Sequence, residues 1–173
     1  SKQYIQCAKL LSQPTEAVKI CQSLCEKIKS NFKNVDIILS PAIGGIVIGY
    51  EVGRQLNKET IFAERENGQL VLRRGFTINK NSNVLIVEDV ITTGKSALEC
   101  SELIKMCDAS IAGFSCIIDR SNDECPIKNK IVSQVKLDIK TFKSNDLPDK
   151  LKKIKPVKPG SRNLSKWKKK VSV

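Results

Sequence analysis

The 173-residue sequence contains no histidine, and this absence limits its chemistry more than any other feature of its composition. Without imidazole, the protein lacks the side chain that changes charge near neutral pH and the commonest metal ligand in proteins. Any catalysis must therefore rely on carboxylates, lysines, arginines, hydroxyls and backbone amides.

The sequence also lacks long apolar runs. No stretch reaches the roughly 18 apolar residues that span a bilayer, and the beginning of the chain shows no signal-peptide pattern. We therefore expect a cytoplasmic protein with no membrane partner. The seven cysteines form an odd set without a C-x-x-C pair, which indicates neither a disulfide framework nor a zinc site. We expect most of them to be small buried residues.

The formal net charge of +12 is unevenly distributed along the chain. Ten of the 30 basic residues follow Asp149, where no acid occurs, so residues 1–149 carry 20 basic against 18 acidic residues. A nearly neutral body makes nucleic acid an unexpected partner. Residues 163–173 are predicted to be a disordered basic tail, with RNA contact as the alternative interpretation.

Apolar periodicity predicts alternating strands and helices within a single domain over residues 1–162. Helices are predicted over 14–29, from the glycines at 44 and 45 to 56, and over 95–107. Strands are predicted over 35–39, 60–64, 69–72, 75–78, 84–87, 111–118 and 134–139. This order predicts an α/β fold, with a mostly parallel central sheet flanked by helices on both faces.

Polar segments follow three of the predicted strands. They cover residues 40–45, 88–96 and 119–122. Because ligands of such sheets bind beyond the carboxyl ends of the strands, we expect the three segments to meet in one crevice.

The segment from Thr92 to Ser96, TTGKS, combines hydroxyls, a glycine and a lysine at the start of a predicted helix. Backbone N–H groups there can surround a phosphate, and the helix dipole favours its negative charge. An ordinary strand-to-helix turn with a threonine cap is the alternative. The segment is not a Walker A loop, because Asp89 stands where the first glycine would be.

Two adjacent carboxylates, Glu88 and Asp89, precede this segment. Neighbouring residues of a strand point to opposite sides, and buried carboxylates are costly unless something binds them. The vicinal hydroxyls of a ribose or a hydrated Mg²⁺ would suit two such acceptors. The acid pair and the hydroxyl-rich turn from Thr92 to Ser96 together predict a ribose 5-phosphate site.

Residues 84–96, VLIVEDVITTGKS, resemble the phosphoribosyl pyrophosphate signature of type I phosphoribosyltransferases, in the form found in the orotate phosphoribosyltransferases. Further segments at 40–49, 62–76, 117–120 and 157–162 resemble the shorter bacterial members of that family. The family's further N-terminal segment, which contributes to the base pocket, has no counterpart before Ser1. The resemblance thus implies the type I fold with a small, N-truncated hood region; an orotate pocket that is completed differently is the alternative.

The resemblance assigns roles to the signature. Glu88 and Asp89 would hold the ribose hydroxyls, and the hydroxyl-rich turn the 5-phosphate. The residues implied to bind phosphoribosyl pyrophosphate are Glu88, Asp89, Val90, Ile91, Thr92, Thr93, Gly94, Lys95 and Ser96. Thr92 would also lie against the orotate ring.

The resemblance also assigns roles outside the signature. Ala42, Ile43 and Gly44 match the pyrophosphate loop, and Arg120 matches the arginine that pairs with the orotate carboxylate. A purely structural loop and a surface Asp-Arg pair are the alternatives. The implied catalytic residues, which flank a mobile loop over pyrophosphate, are Arg65, Arg73 and Arg74. Solvated loop arginines are the alternative for these.

The implied activity is that of a pentosyltransferase of pyrimidine synthesis, which makes orotidine 5-phosphate and pyrophosphate from orotate and phosphoribosyl pyrophosphate. Mg²⁺ is the implied cofactor, bound mainly through phosphoribosyl pyrophosphate and water with no direct protein ligand. A homodimer is implied because the loop often reaches across the subunit interface. A transferase for another base and a non-enzymatic RNA-binding relative remain the alternatives.

Overall fold

The computed structural model describes residues 5–139 and 147–152, and these contain no helix long and apolar enough to cross a membrane. Gln6–Asp138 form one compact unit. A second unit comprises Ser1–Ile5 with Ile139–Val173, and its described part includes a short helix, Asp149–Lys152. Three predictions concern residues outside the described ones. They are the domain end at Arg162, the resemblance at 157–162 and the basic tail of 163–173.

The larger unit is built on a six-stranded sheet. Its strands are β1 (Ile37–Pro41), β2 (Glu59–Glu66), β3 (Gln69–Leu72), β4 (Asn83–Ile91), β5 (Ser110–Asp119) and β6 (Ile131–Lys136). They lie in the order β3-β2-β1-β4-β5-β6. Every neighbouring pair is parallel except β2 with β3. The central strands are apolar in sequence because both faces of a parallel sheet are covered.

Helices cover both faces of the sheet, as the sequence predicts. They are α1 (Cys7–Leu11), α2 (Pro14–Asn31), α3 (Gly44–Leu56) and α4 (Lys95–Met106). On one side α2 and α3 pack together, with α3 against β1, β2 and β4. On the other side α4 buries Ala97, Cys100 and Ile104 among the apolar residues of the sheet. The helical period predicts an inner face of these three with Cys107, which instead follows the end of α4 and is only partly buried against the same cluster.

The β2–β3 hairpin turns at Asn67-Gly68, which both have positive φ, at 49° and 88°. This backbone suits a two-residue hairpin turn, and Asn-Gly is its strongest sequence indicator. The register pairs Pro41 of β1 with Ala63, so β2 continues three residues beyond the end of β1. The hairpin therefore projects past the carboxyl edge of the sheet.

Several predicted element boundaries were wrong. No strand forms over 75–78, where Ile78 is buried and Phe76 packs edge-to-face on Phe62 without joining the sheet. The last strand begins three residues earlier than predicted, because Ile131 pairs with Phe114 of β5. A short helix that was not predicted, α1, precedes α2 and has Ser12 as its C-cap.

Candidate active site

The three polar segments meet at the carboxyl edge of the sheet. The first is fixed to β2, where the amide of Ala42 donates to the carbonyl of Ala63 at 2.8 Å. The third is fixed to β4, where the amide of Arg120 donates to the carbonyl of Ile91 at 2.8 Å. Since β1, β4 and β5 are consecutive neighbours in the sheet, these bonds put the segments side by side.

The loop after β1 touches the acid pair. The Ala42–Ile43 peptide bond is cis, and α3 begins at Gly44. A Cβ atom added to Gly44 would lie 3.1 Å from Oδ1 of Asp89. The side chain of Ile43 is 82% exposed. The glycine therefore permits a close approach of the helix start to the carboxylate, which a larger residue would restrict.

The two carboxylates of β4 face different layers of the fold. Asp89 lies against Gly44 at the start of α3, and its Oδ1 accepts a hydrogen bond from the Val90 amide at 2.9 Å. Glu88 is close enough to Glu99 of α4 for that charge to act on it. This arrangement confirms the opposite projection expected of neighbouring strand residues.

Burial changes the acidity of both carboxylates. Burial raises the pKa of Glu88 to about 8, with further contributions from the negative charges of Asp89 and Glu99. The pKa of Asp89 is also raised by burial, against the opposing hydrogen bond from Val90. Desolvation thus disfavours the charged forms, and a ligand that donates hydrogen bonds would relieve that cost.

The turn after β4 has the backbone expected of an anion site. Gly94 has φ 72° and directly precedes α4, whose first residue is Lys95. The Lys95 amide lies 3.4 Å from the Thr93 hydroxyl, and the Leu98 amide donates to the Gly94 carbonyl. The first helical N–H groups and the Thr92 to Ser96 side chains are thus gathered at one helix N-terminus.

A segment that follows β5 closes over Gly94. A Cβ added to Gly94 would lie 2.8 Å from Cδ1 of Ile127 and 3.0 Å from Sγ of Cys125. Arg120 begins this segment, after Asp119, whose Oδ1 accepts hydrogen bonds from the amide and hydroxyl of Ser121. The segment that carries Arg120 therefore packs on the same turn that the sequence predicts to bind phosphate.

Arg120 has an unpaired buried nitrogen. Its Nε is buried and finds no hydrogen-bond partner in the part of the chain that the structure describes. Buried donors without partners are uncommon in folded proteins and often mark a ligand position. A guanidinium at the crevice can bind a planar carboxylate with two parallel hydrogen bonds.

The three loop arginines are paired with glutamates around the β2–β3 hairpin. Arg74 forms two hydrogen bonds with Glu64, which lower the pKa of that carboxyl. Nη1 of Arg73 lies 3.4 Å from Oε1 of Glu66. The third arginine, Arg65, contacts the turn carbonyl of Gly68 and Glu99 of α4.

Two neighbours of the site are not predicted by the sequence. One is Glu99, which follows Lys95 by four residues on α4. Residues at this spacing are neighbours on a helix, so the spacing could have indicated that Glu99 lies near the turn. The other is Cys7 of α1, whose Sγ lies 3.9 Å from the carbonyl oxygen of Asp89. A five-residue helix gives too little periodicity for its position to be predicted.

Comparison with known proteins places these features in a family. Residues 9–148 match the model of the phosphoribosyl transferase domain. An orotate phosphoribosyltransferase of Methylorubrum populi is 44% identical over 96% of this chain and 85% of its own length. That of Chlorobium phaeobacteroides is 41% identical over 95% and 84%. The crystal structure of the Aeropyrum pernix orotate phosphoribosyltransferase superposes with a TM-score of 0.68 at 19% identity, covering 79% of this chain and 80% of that one, and so shows a shared fold.

Proposed function

The chain belongs to the phosphoribosyl transferase domain family and, within it, to the orotate phosphoribosyltransferases, and on this premise we propose how its residues act. The enzyme transfers the 5-phosphoribosyl group of phosphoribosyl pyrophosphate to orotate, which gives orotidine 5-phosphate and pyrophosphate for pyrimidine synthesis. The observation that carries the site assignment is the meeting of three polar segments at one sheet edge, with Gly44 against Asp89 and the Arg120 segment over Gly94.

In this proposal, the ribose lies along β4. Glu88 and Asp89 accept hydrogen bonds from its hydroxyls, which offsets the desolvation that raises both pKa values. The 5-phosphate binds at the N-terminus of α4, against the amides and hydroxyls of Thr92 to Ser96. Holding the sugar at both ends fixes its C1 atom for attack, and such positioning removes much of the barrier of a two-substrate reaction.

Orotate is proposed to bind between Thr92 and Arg120, with its carboxylate on the guanidinium. A ring nitrogen then displaces pyrophosphate at C1 while positive charge develops on the sugar. Arg120 holds the carboxylate in a fixed orientation, and this ligand can bond its buried Nε, which has no partner among the described residues.

The leaving group is proposed to bind at the loop of Ala42, Ile43 and Gly44, where α3 begins. Backbone amides at this helix start can donate hydrogen bonds to pyrophosphate as its negative charge grows. Arg65, Arg73 and Arg74 would add positive charge from the hairpin that projects past the sheet edge. A homodimer is part of the proposal, since such a hairpin can also serve a partner's site.

Mg²⁺ fits this arrangement as a cofactor bound largely by the substrate. In this proposal Glu88 and Asp89 bind the ribose hydroxyls, so oxygens of phosphoribosyl pyrophosphate and water would supply the oxygen ligands that the ion prefers. When bound, the ion neutralises negative charge that develops on the leaving group. The protein residues then need only orient the sugar, exclude water and hold the base.

The test is an assay of purified protein with orotate, phosphoribosyl pyrophosphate and Mg²⁺, which follows the loss of orotate absorbance. We expect turnover with orotate and none with adenine or uracil. Asp89→Asn is the site variant, and Asp108→Asn, in an exposed pair with Lys80, is its matched control. Turnover with another base and not with orotate would contradict the proposal.

A further inference from the structure

Glu99 joins three parts of the site that the proposed reaction uses separately. It lies in the second turn of α4, and its side chain is 26% exposed. Its Oε2 is 2.5 Å from Nη2 of Arg65, on the projecting part of β2. Its Oε1 is 3.9 Å from Nζ of Lys95, in the proposed phosphate turn. Its charge also acts on Glu88 of the acid pair.

Arg65 extends this connection into the hairpin turn. One terminal nitrogen contacts Glu99 while the other donates to the carbonyl of Gly68. A guanidinium has five N–H donors in a rigid planar fork, so fixing two corners fixes the direction of the remaining donors. The hairpin is thus bonded at its tip to α4, and β3 also packs against that helix.

The pair differs from the other two arginine–glutamate pairs of the hairpin. Arg74 bonds Glu64 and Arg73 lies near Glu66, so both join residues of the hairpin and its flank to one another. Arg65 with Glu99 instead joins the hairpin to the helix of the phosphate turn. A charged pair that bridges two elements restrains their relative position, which a pair within one element cannot do.

We propose that Glu99 is a positioning residue of the transferase: its carboxylate holds Arg65, and with it the β2–β3 hairpin, against the helix that binds the 5-phosphate. This inference rests on the proposed function of the site. Glu99 touches no reacting atom in the scheme. It sets where the guanidinium of Arg65 points, and so how well the site is completed around phosphoribosyl pyrophosphate.

The test compares Glu99→Gln with Glu102→Gln, a matched control on the same helix. Glu102 pairs with Lys105 one turn away on α4, at 2.8 Å, and in the described part of the chain it pairs with no residue outside that helix. We expect Glu99→Gln to raise KM for phosphoribosyl pyrophosphate roughly two- to fivefold, the range of a lost partly exposed bridging pair. KM for orotate and the values for Glu102→Gln should stay near those of the wild type.

Two further measurements separate positioning from loss of stability. Hydrogen exchange of the amides at 66–70 should accelerate in Glu99→Gln and not in Glu102→Gln. The charge-swapped double variant Arg65→Glu/Glu99→Arg should slow that exchange again relative to either single variant, because it restores an opposite-charge pair. Unchanged KM and unchanged exchange in Glu99→Gln would overturn the inference.

The outcomes distinguish this inference from the proposed function. Hydrogen exchange needs no substrate, so it reports on the Glu99–Arg65 connection even if the wild type does not convert orotate. An active wild type with an indistinguishable Glu99→Gln variant would overturn only the positioning role. A wild type without orotate turnover, but with accelerated exchange in Glu99→Gln, would overturn the reaction and keep the connection.

Discussion

At the scale of single residues, the acid pair on β4 combines a proposed binding role with a cost in stability. Glu88 and Asp89 lie where burial raises both pKa values, and no cation pairs with either in the part of the chain that the structure describes. Such sites are arranged for a ligand rather than for the stability of the free protein. The pH dependence of stability should therefore reveal the pair without any substrate.

Glu88→Gln should stabilise the free protein increasingly as the pH rises. The folded chain binds the Glu88 proton more tightly than the unfolded chain, with a pKa of about 8 against 4.5. Between these two pH values, the unfolded chain has lost this proton while the folded chain keeps it, so the unfolding free energy of the wild type falls as the pH rises. Glutamine cannot ionise, so the variant escapes this loss. Melting temperatures from pH 4.5 to 8.5 should show the variant gaining on the wild type across this window. A constant difference would contradict the burial of this charge; Glu102→Gln serves as the control.

Arg120→Ala should impair orotate use without destabilising the fold. Losing a charge-assisted contact of about 1.5–3 kcal/mol corresponds to a roughly 10- to 150-fold lower kcat/KM for orotate. KM for phosphoribosyl pyrophosphate should change little. The melting temperature should not fall, since the variant removes a buried donor that has no partner among the described residues. Steady-state kinetics are the measurement, and Arg54→Ala, on the outer face of α3, is the control. An equal loss of kcat/KM in the two variants would refute the assignment.

At the scale of elements, the turn between β4 and α4 depends on a glycine for two reasons. Gly94 has a positive φ, and its missing side chain leaves room for Ile127 and Cys125. The first reason concerns the backbone of the helix start, and the second concerns packing of the segment that carries Arg120. A pair of glycine variants can separate these contributions.

Gly94→Ala should lower the unfolding free energy more than Gly68→Ala does. Both positions have positive φ, which costs a side-chain-bearing residue about 1–2 kcal/mol. At Gly68 an added Cβ meets nothing within 4 Å, whereas at Gly94 it lies 2.8 Å from Ile127. Urea unfolding should therefore show an extra loss of about 1–3 kcal/mol for Gly94→Ala. Equal losses of unfolding free energy in the two variants would contradict the prediction, because they would show that the segment of Cys125 and Ile127 moves away at no cost.

The sequence predicted the central elements well and the margins poorly. Helix α4 and β3 follow from periodicity and turn residues alone, since their apolar spacing and the Asn-Gly turn are local properties. The extension of β4 through Glu88 to Ile91 depends on pairing with β5, and the start of β6 depends on the same neighbour. Such pairings are tertiary, so no local pattern contains them.

For the site, too, the sequence predicted the general arrangement but not the individual side-chain contacts. The residue types of the signature and the carboxyl-edge rule predicted that three segments would meet, because strand direction follows from fold class. The connection from Arg65 to Glu99 was not predictable, since it joins residues 34 positions apart through side-chain geometry. The roles assigned to individual residues stay predictions until the variants are measured.

At the scale of the whole molecule, the seven cysteines are all unpaired, and five are buried. Burial raises the pKa of Cys7 and Cys25 to about 11 and that of Cys21 to about 12, so their thiolates are scarce at neutral pH. Only the thiolate reacts readily with disulfide reagents. The remaining two, Cys107 and Cys125, are partly exposed.

Titration with a chromogenic disulfide should modify two thiols rapidly in the native protein and all seven after denaturation. The five slow thiols should react at the rate of unfolding, because opening of the core is needed to expose them. Peptide mapping should locate the fast labels at Cys107 and Cys125. Rapid modification of Cys100 of α4 or Cys116 of β5, which are both in the core, would contradict the packing described above.

The closeness of Cys125 to Gly94 also gives the protein a natural chemical reporter. Its sulfur lies over the turn proposed to hold the 5-phosphate, whereas Cys107 lies at the opposite end of α4. Occupancy of the turn should slow labelling of Cys125 and leave Cys107 as an internal reference. The ratio of the two labels would then measure ligand affinity in a single tube, without turnover and without an attached dye.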